Sequence, residues 1–196
     1  MRNSKKMIGL VFAFFICTAF TTLGRSSVAQ IPPLVDFKEV IKLETKIEKV
    51  TINPELLQSH NNFLHAIGRR ESSNRYDITN RFGYMGKYQF GRKTLNSIGF
   101  KHIDNKTFLN SPKLQEEAML SLLKSNKQIL RRQIKRYVGT VVNGVYITES
   151  GLLAGAHLAG AGNVKKWLRN GKRFKDGLGT SIVSYIELFG GYKLNI

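Results

Sequence analysis

The sequence contains a single cysteine, and its position excludes a disulfide bond from the predicted mature protein. Cys17 lies in an N-terminal apolar run that we expect to be removed. A chain without disulfides must be stabilised by core packing, even in an oxidising compartment. Histidines are also few, with four in the sequence: His60 and His65 are five residues apart and His102 is isolated, which is not the spacing of a zinc site. We therefore predict no metal and no other cofactor.

The one long apolar run lies at the N-terminus. Basic residues at positions 2, 5 and 6 precede it, it extends from Met7 to about Leu23, and small residues follow up to Ala29. This order is typical of a cleavable secretory signal, and the run is short for a membrane span, which needs roughly 18 or more residues. We predict a signal peptide over residues 1–29, a periplasmic or secreted protein, and no stable membrane span after cleavage. An uncleaved N-terminal anchor is the alternative.

Acidic residues are few, with 13 Asp and Glu against 31 Lys and Arg. Cleavage after Ala29 removes four basic residues and no acidic one, which leaves 27 basic residues, 13 acidic residues and a net charge of +14. Such a charge favours polyanions as partners. Outside the cytoplasm the abundant polyanions are cell-wall polymers and lipid head groups, so we expect no nucleic-acid partner. The net charge alone does not identify a substrate.

The predicted mature chain divides near Pro54. Residues 30–53 begin with two prolines and continue with mixed charges but no helical stripe, which predicts an extended arm or linker. The remaining residues, 54–196, are enough for one domain with its own core. From Leu56 onward, apolar residues recur at spacings of three and four, which predicts a first helix from Pro54 to about Arg70.

Turn residues and apolar spacing predict the other elements. Residues 71–91 are rich in Gly, Asn, Ser and Tyr and should form a loop. Ser111 is suited to cap a long helix from Pro112 to about Tyr137, whose apolar stripe includes Ile129. Shorter helices are predicted at about residues 92–98, 163–168 and 180–188.

Residues 140–159 carry two further local signals. Asn143 and Gly144 lie between β-branched residues, and this dipeptide predicts a β-hairpin near residues 140–147. Thr148 can cap a following helix whose Gly and Ala side chains are too small to fill space, so another helix should pack closely against it. The fold class is therefore predicted as mainly α, in a single domain with one small hairpin.

Glu71 is the residue best suited to acid–base chemistry. It ends the first predicted helix, where the negative end of the helix dipole disfavours ionisation. Apolar neighbours such as Ile67, Phe82 or Met85 would also raise its pKa by desolvation. A general acid needs such a raised pKa to hold a proton near neutral pH. An ordinary surface glutamate is the alternative, because position alone is weak support.

Three segments carry, in order, a resemblance to a known family. They are Glu71–Asn74, Gly83–Phe90 and Gly151–Gly162. Their order and spacing resemble the motif set of the soluble lytic transglycosylases, peptidoglycan-cleaving enzymes with a lysozyme-like fold. The likeness extends over about residues 60–192. It implies a lysozyme-like, monomeric protein that acts on peptidoglycan glycan strands.

The resemblance also implies roles for individual residues. Glu71 would be the catalytic acid, Gln89 would line the sugar-binding cleft, and Tyr185 would form a hydrogen bond near the glutamate. Two pairs depart from the family pattern: His157 and Leu158 stand where many relatives have Tyr-Asn, and Lys87 and Tyr88 stand where many have Leu-Met. These changes alter the cleft wall. The predicted substrate-binding residues are Ser72, Tyr88, Gln89, His157 and Tyr185, with Ser72 also supporting the glutamate.

The resemblance implies a mechanism with one carboxylate. Glu71 would protonate the oxygen between N-acetylmuramic acid and N-acetylglucosamine, and a 1,6-anhydro ring would then form without water. Glycosidases that hydrolyse with two carboxylates need a second acid roughly 5 to 9.5 Å away. Asp77 is the only other acid between residues 71 and 100, and a lysozyme-type hydrolase is the runner-up if it reaches the cleft. Two further hypotheses are a non-catalytic peptidoglycan-binding module and a basic polyanion-binding protein.

The long predicted helix carries a stripe of basic residues. Most such stripes are solvated faces, although this one could also hold the protein against an anionic wall. Trp167 is assigned to helix packing rather than to sugar stacking. The basic stripe of the long helix consists of Lys124, Lys127, Arg131 and Lys135, with Arg132 and Arg136 beside it.

A complex that spans the cell envelope is a further conceivable partner, but no residue of the sequence identifies it.

Overall fold

Seven helices and one β-hairpin form the part of the chain that the computed structural model describes, residues 54–177 and 179–196. The mainly helical, lysozyme-like prediction with one small antiparallel pair is confirmed. No helix in these residues is long and apolar enough to cross a membrane. The predicted signal peptide and arm lie outside the described residues. In chain order the elements are α1 (Pro54–Ser72), α2 (Arg92–Ser97), α3 (Asn105–Leu109), α4 (Pro112–Tyr137), β1 (Val141–Val142), β2 (Val145–Tyr146), α5 (Glu149–Ala159), α6 (Ala161–Asn170) and α7 (Ile182–Leu188).

The predicted caps and turn are present. The Ser111 hydroxyl accepts a hydrogen bond from the Leu114 amide at 3.3 Å, and α4 begins at the next residue. At the start of α5, the Thr148 hydroxyl accepts from the Gly151 amide at 3.1 Å. Asn143 has a φ of 51°, and the glycine after it also has a positive φ, which matches the two-residue turns that suit hairpins. Local sequence therefore determined where these elements begin.

Two details of the helical prediction were wrong. Ile129 is 47% exposed, because the buried stripe of α4 runs through Leu122 and Leu130 and places Ile129 about 100° around the helix from Leu130. The helix α3 was not predicted. Its cap is clear, since the Asp104 carboxylate accepts from the Thr107 amide at 2.9 Å, but five residues are too few to show periodicity.

The core is built from all seven helices, the loop before α2 and the inner face of the hairpin. Phe63 and Ile67 of α1 are fully buried. Trp167 of α6 is 1% exposed, which confirms the prediction that it packs in the core. Burial of such large side chains is the main stabilising contribution in a domain of this size.

Helix α7 packs directly against the small residues of α5. A Cβ added to Gly151 would lie 2.4 Å from the Ile186 carbonyl oxygen, and one added to Gly155 would lie 2.8 Å from Ile186 Cγ1. The prediction of a closely packed neighbour is confirmed. The close approach matters because Tyr185 of α7 is thereby brought to the end of α1.

Candidate active site

A cleft of about 800 Å³ lies beside the end of α1. Its wall includes Glu71, Gln89 and His157 of the predicted site residues. Exposed aromatic side chains, Phe82 and Tyr84, contribute to the same wall. A cleft that combines a carboxyl group with aromatic faces is suited to a carbohydrate, because sugar rings present both hydroxyls and apolar faces.

Glu71 lies in the last turn of α1, and two residues hold one of its oxygens. The Tyr185 hydroxyl donates a hydrogen bond to Glu71 Oε1 at 2.6 Å. His157 Nε2 lies 3.4 Å from the same oxygen, which is long for a hydrogen bond. The glutamate side chain is 16% exposed. Both contacts are on Oε1, so Oε2 is the oxygen that they leave for a ligand.

The pKa of Glu71 is lowered, which contradicts the prediction from sequence. Burial of the carboxyl is the largest single influence and acts to raise the pKa. The hydrogen bonding and charge of His157, the Tyr185 hydroxyl and the charge of Arg70 together outweigh it. The prediction rested on desolvation and the helix dipole and did not include the contact between His157 and the carboxyl. Unliganded Glu71 is thus biased toward the carboxylate.

His157 is oriented by what surrounds its two ring nitrogens. The side chain is 6% exposed and packs edge-on against Phe90, with ring centroids 6.1 Å apart. Its Nδ1 is buried and has no hydrogen-bond partner among the described residues. A proton on Nδ1 would be a buried donor without an acceptor, which is costly. Nε2–H is therefore the ring donor that is directed at Glu71 Oε1.

A tight loop carries Gln89 into the cleft. The Met85 and Phe90 backbones exchange two hydrogen bonds, of 3.0 and 2.8 Å, across the loop. Gln89 has a φ of 51°, and its side-chain amide donates to the Gly86 carbonyl at 2.9 Å. A Cβ on Gly86 would lie 2.0 Å from Gln115 Oε1, and its φ of 71° also favours glycine. Gly86 is therefore required by both its conformation and its surroundings.

Two side chains hold this loop in place through hydrogen bonds to the Lys87 backbone. The Ser72 hydroxyl donates to the Lys87 carbonyl at 2.8 Å, and Gln115 Oε1 accepts from the Lys87 amide at 2.8 Å. Ser72 is buried and is not among the residues that line the cleft. Its geometry suits the supporting role rather than direct contact with sugar.

Tyr88 points away from the cleft into a polar cluster. Its hydroxyl donates to Glu116 at 2.6 Å, and its ring is fully buried. Lys87 Nζ lies 2.7 Å from Glu116, and the Tyr76 hydroxyl also donates to this carboxylate. Burial acts to raise the pKa of Glu116, but these three donors lower it. The structure thus places Tyr88, a predicted substrate contact, behind the loop.

Sequence reasoning missed Gln115 and Glu116. Gln115 is fully buried on α4, where its amide nitrogen also donates to the Tyr76 carbonyl at 2.9 Å. A polar residue within an apolar stripe was the available signal, since a buried amide needs specific partners. Nothing in the sequence identified those partners as the loop around Lys87.

A match to the family described as transglycosylase SLT domain covers residues 54–178 of this chain. The chain belongs to the transglycosylase SLT domain family. A comparison with curated proteins found no match. Membership gives this SLT-domain protein a function of the lytic transglycosylase type, the cleavage of glycosidic bonds in peptidoglycan. Peptidoglycan is accordingly its substrate.

The acidic residue nearest Glu71 in the sequence is not in the cleft of this SLT domain. The Asp77 side chain is 73% exposed and pairs with Arg75 at 3.4 Å; it is not among the cleft-lining residues. Asp176, which sequence reasoning did not consider, does line the cleft. One of its carboxylate oxygens accepts from the Thr180 amide at 2.7 Å.

Potential metal ligands do not cluster in the described part of the SLT domain. Among residues 54–177 and 179–196, no group of three or more His, Cys, Asp or Glu side chains could hold a metal ion. The acid–base groups that line the cleft there are Glu71, His157 and Asp176.

Proposed function

We propose that this SLT-domain protein is an exported lytic transglycosylase that cleaves the β-1,4 bond between N-acetylmuramic acid and N-acetylglucosamine, with Glu71 as its single general acid and base. One observation carries the proposal. The Glu71 carboxyl lies in the cleft wall, and Tyr185 and His157 contact the same one of its two oxygens. A carboxyl held in this way can present its other oxygen to a bound glycan in a fixed direction.

The first half of the reaction requires a protonated Glu71. The proton passes from the carboxyl to the bridging oxygen, the bond to the anomeric carbon breaks, and the neighbouring N-acetyl group stabilises that carbon. A glycan that fills the cleft excludes water, and desolvation raises the pKa of a carboxyl group. Substrate binding therefore opposes the lowered pKa of the unliganded site.

The second half requires the carboxylate that the first half produces. Glu71 takes the proton of the muramic acid 6-hydroxyl while that oxygen bonds to the anomeric carbon and closes the 1,6-anhydro ring. The carboxyl is protonated again, and no water is consumed. Hydrogen bonding from Tyr185 and His157 to Oε1 stabilises the carboxylate in this half. One group acts as acid and then as base.

Export is part of the proposal and rests on the N-terminal pattern of positive charge, apolar run and small residues. Mass analysis of the protein recovered from the cell envelope tests it. We expect a chain that begins at Gln30. An intact N-terminus in that fraction would instead support an anchor.

The catalytic assignment is tested by incubating the protein with purified peptidoglycan and analysing the soluble products by mass spectrometry. We expect products that end in 1,6-anhydro-muramic acid. The Glu71→Gln variant should release them about 10²- to 10⁴-fold more slowly, since it cannot transfer the proton. Glu117→Gln is the matched control, because this residue is half exposed on α4 and does not line the cleft. Unchanged release by the Glu71 variant would show that the assignment is wrong.

Hydrolysis is a second candidate because Asp176 lines the cleft. A second carboxylate could activate water at the anomeric carbon. The same mass spectra separate the two reactions, since hydrolysis leaves reducing ends. Reducing ends that disappear in an Asp176→Asn variant would favour the hydrolase. A folded protein that releases no products would favour a binding module.

A further inference from the structure

The net positive charge of this protein is concentrated in one continuous stretch. Residues 118–175 contain 12 Lys and Arg and one acid, Glu149. Glu149 is paired with Lys127 at 2.9 Å, and Lys127 also donates to the Ile196 carbonyl at 3.1 Å. Part of the predicted basic stripe is therefore neutralised within the fold. The unbalanced positive charge lies on α4 after Lys127 and at the end of α6.

Exposed apolar side chains lie next to this charge on the hairpin. Val141 and Tyr146 are directly opposite each other in the register of β1 and β2, so their side chains share one face. They are 67% and 62% exposed, whereas Val145 on the other face is buried. Val138, the residue that ends α4, is 42% exposed. The hairpin thus turns one apolar face to the core and a second apolar face to solvent.

The hairpin also brings the basic ends of two helices together. Lys135 and Arg136 form the last turn of α4, directly before the hairpin. Across its turn, the Asn143 side-chain amide donates to the Trp167 carbonyl at 3.0 Å, near the end of α6. Arg169 lies in that last turn and is exposed. We name this region the hairpin surface; it comprises Arg132, Lys135, Arg136, Val138, Val141, Tyr146, Arg169 and Lys172.

The hairpin surface is separate from the cleft. None of its residues lines the cleft wall, which α4 contributes to through Leu122, Ser125, Asn126 and Ile129. The hairpin surface therefore has no part in the chemistry at Glu71.

We propose that the hairpin surface docks the protein onto the surface of an anionic lipid bilayer. Basic side chains attract anionic head groups, and apolar side chains beside them enter the boundary between head groups and acyl chains. Tyr146 suits that boundary because its ring is apolar and its hydroxyl is polar. A phosphate-rich polymer would satisfy the charges but would leave Val141 and Tyr146 in water. The exposed apolar face therefore favours a bilayer over a soluble polyanion.

Sedimentation with vesicles tests the proposal. The probes are phosphatidylcholine vesicles with and without 30% phosphatidylglycerol, a mixture that we choose for its negative surface. Each basic residue near such a surface strengthens binding about fivefold. We expect strong preference for the anionic vesicles, reduced by added salt. Wild type and variants carry the same N-terminus, so any contribution of the N-terminal apolar run cancels.

Two variants separate charge from apolar contact. The triple change of Arg132, Lys135 and Arg136 to Gln should weaken binding to anionic vesicles on the order of 100-fold. The double change Val141→Ser and Tyr146→Ser should weaken it about tenfold and leave binding to soluble polyphosphate unchanged. All five side chains are exposed, and an unchanged thermal unfolding midpoint verifies that each variant folds.

A matched control carries the same change of charge at the other end of α4. Lys93, Lys101 and Lys106 are exposed, and α3 contacts the start of α4 where Gln115 donates to the Phe108 carbonyl. Changing the three lysines to Gln should weaken vesicle binding much less. An equal loss in the control would mean that net charge alone acts, and the proposal would be overturned.

Two other outcomes would also overturn it. If the Val141/Tyr146 variant binds vesicles as well as wild type and polyphosphate displaces both, the surface is a polyanion site. The wild-type protein could instead bind neither type of vesicle and form dimers in sedimentation velocity. If the Val141/Tyr146 variant does not form these dimers, the hairpin surface contacts a second copy of the chain. Each readout is independent of peptidoglycan cleavage, so failure here leaves the assignment of Glu71 unaffected.

Discussion

The Glu71 carboxyl is controlled by residues that lie far from it in the chain. Tyr185 and His157 contact the same oxygen, and the pKa of Tyr185 is raised by burial and by the neighbouring carboxylate. This tyrosine therefore stays a hydrogen-bond donor to a higher pH than an ordinary tyrosine does. His157 is the second partner of this oxygen, and it also lies in the cleft wall.

Replacing His157 should change the pH dependence of cleavage. His157 lowers the pKa of Glu71, so His157→Phe should raise it, and the protonated acid should persist to higher pH. We expect the alkaline limb of the kcat/KM profile to move upward in pH. His157→Gln, which can still donate to Oε1, should restore part of the original profile. A limb that does not move in either variant would show that His157 only fills space.

Sequence reasoning located the site residues better than it predicted their chemistry. Glu71 and Gln89 could be assigned to the cleft because motif order fixes their place, and Tyr185 was assigned near the glutamate. The direction of the pKa shift could not be predicted, since it depends on a 3.4 Å approach by His157 across the fold. Tyr88 was assigned to substrate, but a side chain in a loop can point to either side, and this one contacts Glu116.

At the scale of elements, helix starts and the hairpin turn could be predicted from local signals, whereas several features that depend on packing could not. Caps and turn chemistry act within four residues, so Ser111, Thr148 and the Asn143 turn could be identified from sequence. The short helix α3 and the exposure of Ile129 depend on what packs against them. The support of the Gln89 loop by Gln115 depends on contacts between distant segments in the same way.

The contact between α5 and α7 provides a test at this scale. Gly151→Ala places a Cβ 2.4 Å from a backbone oxygen of α7, which must move. We expect the free energy of unfolding to fall by about 1–3 kcal/mol, measured by urea denaturation. Cleavage should also slow, because α7 carries Tyr185.

Gly162→Ala on α6 is the control for this test. A Cβ at Gly162 would have no atom within 4 Å, so alanine should stabilise the helix by about 0.5–1 kcal/mol. If both variants were equally stable, close packing of α5 and α7 would not be the reason for the glycine at position 151.

At the scale of the whole molecule, the net charge and the core of the described residues both lie in the C-terminal part. Residues 30–53 hold four acidic and four basic residues, so the net charge of +14 belongs to residues 54–196. Residues 51–196 also form one compact unit. The mainly helical class could be predicted because it follows from periodicity along the whole chain. The cleft could not, because it is formed where several elements meet.

A variant that lacks residues 1–50 should therefore fold by itself. Trp167 is the only tryptophan and is 1% exposed, so its fluorescence reports on the core. We expect its thermal transition to coincide with the loss of helical circular dichroism, as a two-state domain requires. A variant that does not fold would mean that the removed segment is needed for the core, and two separate transitions would mean that the remaining residues are not one cooperative unit.

The two faces of α5 have different contacts, and this determines which of its positions can be substituted. Gly151 and Gly155 set the distance to α7, while His157 and Leu158, near the end of the same helix, line the cleft. Substitutions at the cleft positions leave the glycine contact untouched. Substitutions at residues 157 and 158 can therefore change the cleft wall without loss of the framework, which makes these two positions a natural place to begin directed evolution.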